Sequence, residues 1–162
     1  MPTSSTSTPQ RRLPAARCLP AYVPALAAEH ASRVAFHLEA TRYPWRVLAL
    51  IRRYGLEAGA ALNPASSLDA LGSLAGHLDY VVLLTTEPDA MGEVLLPGMV
   101  ERIVEARRRM PNGPRLQVDG GVTTENIGML VRAGARDIVV GRSITRTGDW
   151  EAAVAQLRAA AG

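Results

Sequence analysis

Two glycine-bearing turns and one carboxylate hold the residues of this 162-residue chain best suited to chemistry. Asp119-Gly120-Gly121 follows the run Leu116-Gln117-Val118, and Gly141-Arg142-Ser143 follows Ile138-Val139-Val140. Glycine lets a backbone approach a ligand closely, and N–H groups at the start of a helix favour an anion. The second turn adds a guanidinium and a hydroxyl. Two such turns on successive units point to a phosphate bound by Gly120, Gly121, Gly141, Arg142 and Ser143. The alternative is that the glycines serve only tight turns. Asp119 ends the run Leu116-Gln117-Val118, and its carboxylate suits a general acid/base or a metal ligand; an N-cap or turn carboxylate fits the spacing equally well. His37 and Glu39 sit at i and i+2, on one face of an expected strand, where a core histidine paired with a carboxylate is favoured over a ligand.

The elements that must position these residues alternate regularly. Short β-rich runs fall at 33–39, 57–62, 79–85, 115–119 and 137–140. Between them lie helical stripes: Val47, Leu48, Ile51 and Tyr54; Leu68, Leu71, Ala75 and Leu78; Leu96, Met99, Val100, Ile103 and Val104; then Ile127, Leu130 and Val131. The helix after Gly121 is expected to begin near Thr123 or Thr124, and the last one from an Asp149 N-cap through Trp150, Val154 and Leu157. Strands joined by crossover helices make a parallel sheet, and the continuously apolar 80–84 and 138–140 fit strands covered on both faces. The fold class is therefore α/β, with five consecutive βα units. Periodicity does not separate a doubly wound sheet from a barrel. In either, ligands meet the carboxyl ends of the strands, where the two glycine turns lie. Residues 1–20, rich in Ser, Thr, Pro and Arg with no acidic residue, read as a disordered tail; 21–162 read as the folded domain.

Composition narrows the function. The chain is 48% hydrophobic and 20% charged, the balance of a globular protein. No apolar run approaches the roughly 20 residues that cross a bilayer, and the first ten residues lack the apolar core of a secretory signal, so a soluble, cytoplasmic protein without a membrane partner is expected. All 18 basic residues are Arg, which excludes Schiff-base catalysis by a lysine. Arg107-Arg108-Arg109 reads as a helix end rather than a nucleic-acid patch, because no aromatic residues accompany it. Cys18 stands alone, and His30, His37 and His77 are scattered, so neither a disulfide nor a zinc cluster is indicated.

Together, Phe36-His37-Leu38-Glu39-Ala40-Thr41, Gly59-Ala60-Ala61-Leu62-Asn63-Pro64, Val118-Asp119-Gly120-Gly121-Val122 and, more loosely, Val140-Gly141-Arg142-Ser143-Ile144 resemble the ribulose-phosphate 3-epimerase family. The resemblance implies part of an eight-stranded (β/α)8 TIM barrel of the ribulose-phosphate-binding type. It implies interconversion of ribulose 5-phosphate and xylulose 5-phosphate through an enediolate, with two Asp residues on opposite faces of C3 and a divalent metal (Fe, Zn, Co or Mn). It assigns Asp119 as one acid/base residue and metal ligand, and Gly120, Gly121, Gly141 and Ser143 to the phosphate.

The chain also departs from that pattern. Its five strands correspond to the fourth through eighth of the family barrel, and the residues before Ala21 do not resemble the first three units. The second catalytic Asp, the metal-binding His pair and a substrate-binding Ser therefore have no counterpart. The family's glycine-rich phosphate loop corresponds to Glu87-Pro88-Asp89-Ala90-Met91-Gly92-Glu93, which keeps one glycine and carries three carboxylates. Impaired epimerase activity is expected, the alternative being a non-catalytic sugar-phosphate-binding or subunit-interaction module. A five-strand section should also leave sheet edges exposed. That implies a homo-oligomer or partner chain, a marginal open sheet, or a product shortened at its start.

Overall fold

The computed structural model describes residues 21–87 and 94–162. The expected tail, with Cys18, and all of the acidic loop beyond Glu87 lie outside the described residues. One five-stranded sheet runs in the order β1-β2-β3-β4-β5, every neighbouring pair parallel. Its strands are β1 (Arg33–His37), β2 (Glu57–Leu62), β3 (Tyr80–Leu84), β4 (Arg115–Asp119) and β5 (Asp137–Val139). The helices are α1 (Val23–Ala28), α2 (Pro44–Arg53), α3 (Met99–Arg109), α4 (Ile127–Arg132), α5 (Arg142–Thr145) and α6 (Trp150–Ala161).

Strand alternation sorts the side chains between two faces. Ala58, Ala60, Leu62, Val81, Leu83, Leu116 and Val118 join the large core formed with Ile51, Ile103 and Leu130 of the helices. The other face carries Ala61, Tyr80, Val82 and Leu84 as a smaller apolar cluster. Register pairs Leu84 with Asp119 and Asp119 with Val139, so Asp119 stands on this second face at the carboxyl edge. The first and last strands do not pair, and the sheet is an open section of a parallel barrel wall.

Several local expectations change. The 33–39 strand stops at His37, because Leu38–Ala40 turns into a 3-10 helix; His37 and Glu39 meet through Nδ1 and Oε2 at 3.3 Å rather than by sharing a strand face. The second connection is 3-10 rather than α-helical, broken at Gly72 with φ of +33°. Val104 leaves the apolar stripe of α3, where Ile103 and Ala106 are buried instead. Tyr54 and Trp150 are exposed, and α1 lies in a stretch with no helix expected. The helix after Gly121 begins at Ile127, because 123–126 form a side-chain-closed turn first. Asp149 does cap α6, its Oδ1 accepting from the Ala152 N–H at 2.9 Å. No helix of the described residues is long and apolar enough to cross a membrane.

Candidate functional site

Asp119 owes its place to the residues around it in sequence. Leu116 and Val118 are fully buried against the helices, which turns Arg115, Gln117 and Asp119 to the opposite face. The Thr85 N–H donates to the Asp119 carbonyl at 2.9 Å, continuing the β3–β4 ladder to the strand's last residue. Burial pushes the Asp119 carboxyl above its ordinary value.

The chain then makes the Gly120-Gly121 turn, with φ of +123° and +64°. Only glycine adopts both angles cheaply, and space excludes a side chain as well. A Cβ on Gly120 would overlap the Thr86 hydroxyl, and one on Gly121 the Leu95 backbone nitrogen. The turn's carbonyls are held from three directions. Gly120 O accepts from Thr85 Oγ1 at 2.6 Å, Gly121 O from Asn126 Nδ2 at 2.8 Å, and Val122 O from Ser143 Oγ at 2.5 Å.

Gly141 precedes α5 and differs in kind from the other two. Its φ is −106°, and a Cβ there would meet nothing within 4 Å. Packing does not require a glycine at this position; its lack of a side chain leaves space instead. Both turns face one cleft of about 580 Å³, lined by Asp119, Gly120, Gly121, Gly141, Arg142 and Ser143 among others. Asp119 and the five residues of the two glycine turns therefore meet in a single concavity with Arg146 and Thr147, whereas His37 and Glu39 do not line it.

A second polar cluster lies at the same end of the sheet. Glu39 accepts from the Asn63 N–H at 2.9 Å and from the Ser66 hydroxyl, while Arg102 donates to Ser66 O at 2.5 Å and Asn63 O at 3.3 Å. Burial pushes Glu39 up, yet its bonds from Ser66, Asn63 and His37 outweigh that and hold it below its ordinary value. This cluster ties the loops after β1 and β2 to the start of α3.

Among the described residues, no group of three or more His, Cys, Asp or Glu side chains is placed to hold a metal ion. Asp119 offers one carboxylate, whereas a resident divalent ion needs several protein donors. The described residues do not fit a metal centre.

A sequence profile described as the ribulose-phosphate 3 epimerase family matches residues 17–145. The chain belongs to the ribulose-phosphate 3-epimerase family. Ribulose-phosphate 3-epimerase of Escherichia coli K12 is 36% identical over 139 residues, covering 84% of this chain and 62% of that protein. Ribulose-phosphate 3-epimerase 1 of Cupriavidus necator is 37% identical over 131 residues, covering 76% of this chain and 54% of that protein. The chain thus spans between half and two thirds of the length of these curated relatives. Among solved structures, 3-hexulose-6-phosphate synthase superposes with a TM-score of 0.67 at 20% identity, covering 88% of this chain and 68% of that one. Thiamine phosphate pyrophosphorylase from Pyrococcus furiosus gives 0.63 at 18%, covering 86% and 63%. These two likenesses speak for the fold, a barrel-type parallel α/β architecture, and for nothing finer.

Proposed function

We propose that this chain carries one half of a ribulose-phosphate 3-epimerase active site, in which Asp119 moves a proton at C3 of a pentose phosphate held through its phosphate. The carrying observation is that Asp119 shares one cleft with both glycine turns. In this reading Gly120, Gly121, Gly141, Arg142 and Ser143 receive the phosphate. The Asp119 carboxylate takes the C3 proton, and the electron pair left behind moves through C2 to its carbonyl oxygen as an enediolate. The protonated Asp119 then returns the proton to the same face. A carboxyl raised by burial suits such shuttling, because its proton affinity moves towards the working pH.

Inversion at C3 needs a second proton-transfer group on the opposite face. No second carboxylate lines the cleft among the described residues, and the metal expected for the family finds too few donors there. These two observations favour a further reading for the chain acting alone: a sugar-phosphate-binding or subunit-interaction module without turnover. The unpaired edges of β1 and β5 support a second chain, either another copy or a partner, against the sheet. Light scattering tests that part, and a well-dispersed monomer would contradict it. A soluble cytoplasmic location belongs to the same proposal. The catalytic reading is tested by solvent deuterium exchange into C3 of ribulose 5-phosphate, comparing the full chain with Asp119→Asn.

A further inference from the structure

The three carbonyls of the Gly120-Gly121-Val122 turn accept from donors in three different parts of the chain. Thr85 follows β3, Asn126 precedes α4, and Ser143 lies in α5. Asn126 is itself held, because the Thr123 N–H donates to its Oδ1 at 2.9 Å. Thr85 is fully buried, and it holds Asp119 through its N–H while holding Gly120 through its hydroxyl. These bonds have a directional consequence. In a planar trans peptide, the carbonyl of one residue and the N–H of the next point opposite ways. Fixing the carbonyls of Gly120 and Gly121 therefore fixes the N–H directions of Gly121 and Val122, away from Thr85 and Asn126. It also keeps carbonyl oxygens, with their negative partial charge, from swinging towards an anion. Ser143 has one hydroxyl proton, and Val122 O takes it.

We propose that Thr85, Asn126 and Ser143 are positioning residues, which set the anion affinity of the Gly120-Gly121 turn by holding its carbonyls rather than by touching the phosphate. This rests on the phosphate reading of that turn given above, and it moves Ser143 from ligand to support.

The test is a titration of the isotopically labelled full chain with inorganic phosphate, followed by NMR, with backbone order parameters measured before phosphate is added. Ser143→Ala and Thr85→Val are expected to weaken phosphate binding about three- to tenfold, the loss of one hydrogen bond. They should also lower the order parameters of the Gly121 and Val122 amides in the phosphate-free protein. Ser143→Thr and Thr85→Ser, which keep the hydroxyl, should restore both readouts. Should buried Thr85→Val fail to fold, Ser143→Ala and Asn126→Ala carry the same test. Weaker phosphate binding with unchanged order parameters would make Ser143 a direct ligand and overturn the inference. Unchanged affinity in every variant would overturn it too, leaving the phosphate site intact. A wild-type chain that binds no phosphate would instead defeat the phosphate reading, and this inference with it.

Discussion

Arg33 donates from Nη1 to Asp137 Oδ2 across 3.2 Å, joining the first residue of β1 to the first residue of β5. These are the two edge strands of the sheet, so its amino-terminal rim curls far enough for one arginine to span the opening. Arg115 extends the bridge, with Nε 3.7 Å from Asp137 and Nη2 2.6 Å from Glu57, and Arg33 lies 5.4 Å from the centre of the Tyr80 ring. The groups are partly exposed, which keeps such pairs weak. Arg33→Ala should cost about 0.2–1 kcal/mol in urea unfolding, with the cost shrinking as salt is raised. A cost of several kcal/mol would mean that the rim network holds the open sheet together.

The glycines of the two turns should separate into two kinds. Gly121→Ala places a Cβ at φ of +64° against the Leu95 backbone, so a loss of at least about 2 kcal/mol in stability is expected. Gly141→Ala meets open space and should leave the melting temperature nearly unchanged, while weakening inorganic phosphate binding measured by calorimetry. Equal stability losses in both variants would show that Gly141 serves the fold alone.

Asp119 makes stability depend on pH with a definite sign. Burial raises its folded-state value, so the folded chain holds this proton more tightly than the unfolded one. The stability from this group is full below the ordinary aspartate value and is lost as pH rises through the raised one. Asp119→Asn should therefore be more stable than wild type at pH 7, with the gap closing on acidification towards pH 3. A variant less stable at pH 7 would point to a structural role for the carboxylate.

Much of the fold can be read from residue types: the continuously apolar 80–84 run is buried along most of β3, although Val139 in the similar run at 138–140 is exposed. The runs at β2 and β4 agree with expectation to the residue, and Asp149 caps α6 as its type suggests. Some differences are local, such as the 123–126 turn and the break at Gly72, while others come from distant partners. Glu39 leaves the β1 run because Asn63 and Ser66, more than 20 residues away, supply its hydrogen bonds. Local periodicity carries no trace of such partners, nor of Thr85 reaching Gly120 or Arg33 reaching Asp137. Asn126 was the one member of the turn's support within local reach, three residues from Thr123. The site's members were legible as strand-end residues; the bonds that orient them were not.

Glu39 offers the opposite sign to Asp119. Its hydrogen bonds hold it below its ordinary value despite burial, so its stabilisation is present above that value and is lost as pH falls through the lowered one. Glu39→Gln should cost about 1 kcal/mol at pH 7, discounted for partial exposure, and progressively less in acid. Parallel pH–stability curves for the two proteins would contradict this.

The most direct test of the half-site is deuterium exchange into C3 of ribulose 5-phosphate, followed by NMR with the full chain in D2O. The account predicts exchange by wild type above the uncatalysed rate, slowed at least about 10²-fold in Asp119→Asn. No exchange by wild type, or exchange that persists undiminished in Asp119→Asn, would contradict it.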